Sequence, residues 1–389
     1  MNYLLKKLYN ISLILALFPW LQFGLMKGGI QPYYIVAMSV TLLLHLCIKR
    51  TLSMLEIFMI LIPIIFIFLN VWNLNFHELI RESISYVAFF MSFIFFKNYL
   101  LLYGFPKRIL IIVLWVWIGA GMLQYAIDPK IFDFIVLNRE TSNRGVASLA
   151  SEPSFFGLHF ASIVSLLIFF SPNKKFFQNL SIGLFGIILS ASIVAVYYFA
   201  FIVGASMLLK KLITLKLIIF FCILSILVYT FFLSGMRFGE IINHFIDYGF
   251  YDLITKDESA RKRTFQSLTP FILSYDNYFL PSTFSIIDSI KNVDSGSIYL
   301  ELLSNDNKIG SYLGRFVFHW GLFFVIPFFS ILIYSVLISF RLFITLLLIS
   351  IAFFPAISPA YPLIPFMFVY LYFYYVSKGS FTIADLPSS

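Results

Sequence analysis

The sequence predicts an all-α polytopic membrane protein, and three observations carry that reading. Hydrophobic residues make up 61% of the 389 positions and charged residues only 12%, about half the charged share of a soluble domain. The mean hydropathy is +0.94. Apolar runs long enough to cross a hydrocarbon core of about 30 Å recur along the whole chain. A transmembrane β-barrel would show short alternating segments instead. The 49 phenylalanines and 23 tyrosines suit helices packed among lipid with an interfacial aromatic belt.

Taken in order, the runs place about twelve spans. They cover 9–26, 32–48, 54–72, 82–102, 108–126, 154–171, 178–191, 193–209, 213–233, 312–338, 341–356 and 361–377. Lys6 and Lys7 precede the first run as in a signal peptide, but no small-residue cleavage site follows and further spans do. It therefore reads as an uncleaved helix. The seventh run is short for a full crossing, so it is tilted or re-entrant. The chain reads as one membrane domain over 1–389, with a loop at 127–153, a large loop at 234–311 and a short disordered tail at 379–389.

Lys and Arg in the short connections set the orientation. Lys6, Lys7, Lys49, Arg50, Lys97, Lys107, Arg108, Lys174, Lys175, Lys210, Lys211, Lys216, Arg341 and Lys378 fall on one side when the spans alternate. That side is cytoplasmic. Both termini then lie inside and both long loops outside; Lys27 and Arg81 are minor exceptions. Acidic residues sort outward, except Glu56 near the inner end of the third span and Asp385 in the tail. Orientation explains much of the net charge of +9, so nucleic acid is not an expected partner. The two cysteines, Cys47 and Cys222, lie in apolar runs and read as core thiols without metal spacing. No H-E-x-x-H, P-loop, dinucleotide fingerprint or nucleophile elbow occurs. No metal and no cofactor are expected.

Chemistry concentrates in the outer loops. The stretch "NRGVASLASEPSFFG" runs from Asn143 to Gly157. Ser151 is a good N-cap and Pro153 suits the first helical turn. The sixth span thus opens at the outer face with unpaired amides and a positive dipole end, which attracts anions. Arg144 can fold over it and grip phosphate oxygens. Glu152 in the same turn can accept a proton from a hydroxyl. The alternative is that Arg144 and Glu152 pair and the glutamate only caps the helix.

The second loop holds "DESARKRTFQSL", with Arg261, Lys262 and Arg263. If it is helical, Arg261 and Phe265 share a face; the alternative is a solvated amphipathic helix. "GRFVFHWG" puts Arg315 and His319 on one face of the tenth span. Ionisable groups inside a span are costly and often functional, although Arg315 can also snorkel. His45 reads as a packed or hydrogen-bonded residue, and His77 and His244 as solvated. His159 lies about two turns into the sixth span near the face of Glu152. "SPAYPLIP" at Ser358–Pro365 reads as a helix break at the interface.

With these features on one chain, the sequence resembles the bacterial O-antigen polymerase (Wzy) family and the related O-antigen ligases. The resemblance is best at Arg144–Gly157, looser at Asp257–Arg263, and extends to "GSYLGRFVFHWGL". It implies an integral-membrane glycosyltransferase of GT-C-like fold in the bacterial inner membrane, with its active site facing the periplasm. Such enzymes join undecaprenyl-pyrophosphate-linked oligosaccharide repeats and release undecaprenyl pyrophosphate. A chain-length regulator protein is an implied partner beside the lipid bilayer. The catalytic pair would be Glu152 and Arg144; the pyrophosphate and substrate set would be Arg144, Arg261, Arg263, Arg315, His319 and Ser154. O-antigen ligase is the nearest alternative, and a lipid-linked oligosaccharide flippase is the alternative from a different class.

Overall fold

The computed structural model describes residues 2–22, 30–49, 51–72, 74, 76–136, 145–170, 175–209, scattered positions between 219 and 249, 258–282, 311–352, 358 and 360–376. Among these residues the fold is helical, without strands. Three helical stretches, Glu78–Tyr103, Lys107–Ala126 and Pro153–Phe170, are long and apolar enough to cross a membrane, and shorter apolar helices accompany them.

Helix α1 covers Asn2–Ala16 and α2 Tyr33–Lys49. The run predicted to continue to 26 stops early because Pro19 lacks an amide donor and forces Phe18 out of the helical region. Helix α3, Met54–Asn70, opens with a capping box: the Glu56 amide donates to Ser53 Oγ at 3.3 Å, and the Ser53 amide donates to the Glu56 carboxylate at 2.8 Å. Helix α4 spans Phe76–Tyr103 and starts earlier than predicted. Lys97 lies in this helix, as it does in the predicted span 82–102. Lys97 is buried, 3.4 Å from Glu56, and the Asn98 side-chain amide donates to the same carboxylate at 2.9 Å.

Helices α5 (Lys107–Ala126), α6 (Pro153–Phe170), α7 (Phe176–Ser190) and α8 (Ile193–Leu209) match the predicted fifth to eighth spans closely. Helix α9, Glu258–Asp276, confirms a helix through the basic run of the long loop. The predicted tenth span is two helices, α10 (Tyr312–Trp320) and α11 (Leu322–Ile338), broken at Gly321. Helices α12 (Phe340–Ala352) and α13 (Leu363–Val376) follow. Most of the predicted ninth span, 213–233, and the tail, 379–389, lie outside the described residues.

Helix α6 is the hub, buried along almost its whole length against α7 and α8. Small residues permit this. A Cβ at Gly183 would lie 2.5 Å from the Phe199 ring, and one at Gly186 would lie 2.2 Å from the Phe160 ring. Close approach at small residues is the usual basis of helix association in lipid. Ser165 and Ser206 share a hydrogen bond of 2.9 Å across the α6–α8 contact.

The periphery is apolar too. Helix α11 exposes Phe323, Ile326, Ile333 and Leu337, a face suited to hydrocarbon rather than water. Cys47 and Cys222 are exposed, contrary to the expectation of core thiols. An apolar run does not say which of its side chains face protein and which face the surroundings.

Candidate functional site

Two groups of polar residues sit where the helices are interrupted. The first begins in the "SEPSFFG" stretch. Arg144 lies outside the described residues. From Gly145 onward the chain is not the exposed loop the sequence suggests; Val146 to Ser151 are buried. The Val146 amide donates to the Leu189 carbonyl at 3.0 Å. The Ser148 amide donates to Gln124 Oε1 at 2.5 Å, and its hydroxyl donates to the Trp117 carbonyl at 2.7 Å. Ser148 has a φ of 54°, which turns the chain back towards α6. Gly145 is required by proximity: a Cβ there would lie 2.3 Å from the Ser190 carbonyl oxygen. Irregular backbone among apolar helices is tolerable only when its polar groups are met by protein in this way.

The cap of α6 is Glu152, one residue later than the sequence suggests. Its carbonyl accepts from the amides of Phe155 and Phe156, both at 3.1 Å. Pro153 then occupies the first helical position, where its missing donor costs nothing, and proline keeps the preceding residue out of the helical region. Glu152 is partly buried, and the Ser154 hydroxyl donates to its carboxylate at 3.4 Å. A carboxylate therefore stands at the positive end of the most buried helix.

His159 is not part of this chemistry. Its Nε2–H donates to the Leu17 carbonyl and its Nδ1 accepts from the Tyr361 hydroxyl, each at 2.9 Å. The ring packs 4.7 Å from Trp117 and 5.4 Å from Trp20. Both nitrogens are used in tying α6 to the end of α1 and the turn before α13. His45 is likewise bonded, to the Tyr9 hydroxyl at 2.6 Å. The His244 ring packs on Tyr248 at 4.8 Å.

The second group joins α4 to α10. Arg315 is 5% exposed and Glu82 4%. Arg315 Nε lies 3.2 Å from the Glu82 carboxylate, and Nη1 donates to Ser85 Oγ at 2.7 Å. Arg81 Nε reaches the other carboxylate oxygen at 3.2 Å, from a side chain that is 40% exposed. The Tyr86 hydroxyl donates to the Arg315 carbonyl at 3.2 Å and lies 2.9 Å from His319 Nδ1. Both contacts are satisfied when His319 carries its proton on Nδ1. Phe66 closes the group, with its ring 4.5 Å from Tyr86 and 5.1 Å from His319.

Arg315 and His319, singled out in the sequence, are thus brought together on Tyr86. Glu82, Ser85 and Tyr86 were missed. The available signal was Arg81, an arginine on the wrong side for the charge rule.

Helix α10 is placed by α9. The Ser311 hydroxyl caps α10 by accepting from the Gly314 amide at 3.1 Å. Gly314 faces Pro270 of α9, where a Cβ would lie 3.2 Å from the proline ring. The break at Gly321 has a φ of 50°, and a Cβ there would lie 2.0 Å from the Phe279 carbonyl oxygen. The Leu322 amide donates to that oxygen at 2.8 Å. Arg261 and Arg263 are in the helical part of α9, and their side chains lie outside the described residues.

A buried ion pair is stable only when its remaining hydrogen-bonding capacity is met. Here two guanidinium groups share one carboxylate, which leaves the group with an excess of positive charge. Neither group alone identifies a reaction. Comparison with protein-family models, with curated proteins and with solved structures returns no match.

Proposed function

We propose that the chain is an O-antigen polymerase: a glycosyltransferase that joins undecaprenyl-pyrophosphate-linked oligosaccharide repeats at the periplasmic face of the bacterial inner membrane. In this reading the chain crosses the membrane about twelve times, with both termini cytoplasmic. The observation that carries the reading is the Glu152 carboxylate at the N-terminus of α6, inside the "SEPSFFG" stretch and with Ser154 bonded to it.

The chemistry follows from those groups. Glu152 takes the proton of the acceptor hydroxyl. The acceptor oxygen bonds to the donor's anomeric carbon as the bond from that carbon to the pyrophosphate oxygen breaks. The electron pair leaves with undecaprenyl pyrophosphate. Arg144, the α6 amides and the arginines of α9 stabilise the negative charge on that leaving group. Ser154 steadies the carboxylate. Arg315 and His319, first read as direct substrate contacts, are engaged within the protein by Glu82, Ser85 and Tyr86.

The purified protein, given lipid-linked repeats, should lengthen them and release undecaprenyl pyrophosphate, and Glu152→Gln should stop both. Lengthening by Glu152→Gln at the wild-type rate would remove the glutamate from the mechanism.

One observation favours a second reading, a lipid-linked oligosaccharide flippase. The break at Gly321 lies close in sequence to Arg315, which forms a buried pair with Glu82. Broken helices and buried charges are features of transport sites. Movement of the repeat across proteoliposomes without lengthening would select it. Transfer to lipid A core in place of lengthening would select the ligase.

A further inference from the structure

The helix that carries the basic run is not held by its own side chains alone. Helix α9 is fixed to α10 and its ends by three backbone hydrogen bonds. The Ser311 amide donates to the Gln266 carbonyl at 3.3 Å, the Ser282 amide to the Phe318 carbonyl at 2.9 Å, and the Leu322 amide to the Phe279 carbonyl at 2.8 Å. Pro270 against Gly314 fills the middle of the contact. The two helices are therefore bonded into one unit. That unit meets α4 through Arg315, which is held by Glu82 and Ser85, and through Tyr86, which meets both the Arg315 carbonyl and the His319 ring.

We propose that Glu82 is a positioning residue: by holding Arg315 it docks the α9–α10 unit on α4 and so sets where Arg261 and Arg263 stand relative to the lipid-linked substrate. Arg263 and Arg261 precede Gln266 by three and five residues, about 4 to 8 Å along the helix axis. A rotation of the unit about its contact with α4 carries them with it. Glu82 itself touches no substrate.

The substrate part of this proposal rests on the polymerase reading; the docking part does not. The test uses the full-length protein in micelles and two measurements. Amide hydrogen exchange reports docking. Lengthening of the lipid-linked repeat, extracted from the host deleted for this chain, reports KM and kcat. In Glu82→Gln, amides of 266–282 and 311–322 should exchange at least about tenfold faster while those of α6 and α8 stay at the wild-type rate. kcat/KM should fall about tenfold with the loss in kcat, because the arginines of α9 act on the leaving group, a coupling within the range measured for residues in contact. Exchanging the charges, Glu82→Arg with Arg315→Glu, should restore both. Should Glu82→Gln fail to accumulate, Glu82→Asp should show the same local pattern more weakly.

Faster exchange across the whole bundle, with an unchanged kcat for the folded fraction, would mean that Glu82 is only structural. Unchanged exchange in α9 and α10 would also overturn the proposal. If the wild type lengthens nothing, the polymerase reading falls, and the exchange result alone decides whether Glu82 docks the unit.

Discussion

Gly157 lies one turn after the α6 cap, where α6 presses on α8. A Cβ at this position would lie 2.1 Å from the Ala195 Cβ and 2.9 Å from Ser190 Oγ. An ordinary carbon contact needs about 3.5 Å, so in Gly157→Ala the two helices must part by about 1.4 Å. The Ala195 Cβ is fixed to its backbone and cannot rotate away. The overpacking cost is therefore at the upper end of the usual range, about 3 kcal/mol. Alanine recovers about 1 kcal/mol of helix propensity over glycine, and the net loss is about 2 kcal/mol. Ala195→Gly alone should lose about 1 kcal/mol. The double variant removes the Ala195 Cβ contact and exchanges the two propensities, leaving only the Ser190 hydroxyl to turn aside, so it should return to within about 1 kcal/mol of wild type, a coupling of about 3 kcal/mol. Denaturant titration in micelles measures all four corners of this cycle. A Gly157→Ala variant as stable as wild type, or one that Ala195→Gly does not rescue, would show that the close contact between α6 and α8 at this glycine does not limit stability. Because Glu152 sits at the start of the same helix, the polymer yield of Gly157→Ala should fall and recover along with the stability.

Gly321→Ala places a side chain at a φ of 50° against the Phe279 carbonyl, and should cost about 2–3 kcal/mol; a thermal midpoint equal to wild type would show that the α10–α11 break does not depend on glycine. Ser148→Ala removes the hydroxyl that meets the Trp117 carbonyl and should cost about 1 kcal/mol. Gln124→Leu, which strands the buried Ser148 amide, should cost more, about 2 kcal/mol. Denaturant titration of both variants should preserve that order, and the reverse order would contradict the anchoring of residues 145–152 described above.

Helix positions were legible where an apolar run ends in a turn. Helices α5 to α8 fall where hydropathy puts them, and the serine-proline signal at Ser151 and Pro153 located the start of α6 to within one residue. The burial of Val146 to Ser151 was not legible. A short stretch of small and polar residues reads as a loop, and its burial depends on Trp117, Gln124 and Leu189, which come from other helices. The break at Gly321 was hidden because a lone glycine in an apolar helix is ordinary; its necessity comes from Phe279, far away in sequence. Arg315 could be picked out as a charge within a span. Its partner could not, because Glu82 falls at the very start of the fourth predicted run and only the tertiary fold brings it to α10.

The proposed role of Glu152 in a polymerase can be checked in the cell. The host deleted for this chain is complemented with wild type, Glu152→Gln or Arg144→Ala at equal protein level, and its surface lipopolysaccharide is separated on a gel. The deletion and both variants should show lipid A core with a single repeat and no ladder, and wild type should restore the ladder. Core without any repeat, with polymer stranded on undecaprenyl pyrophosphate, would contradict the account in favour of a ligase. Single repeats trapped at the cytoplasmic face would contradict it in favour of a flippase.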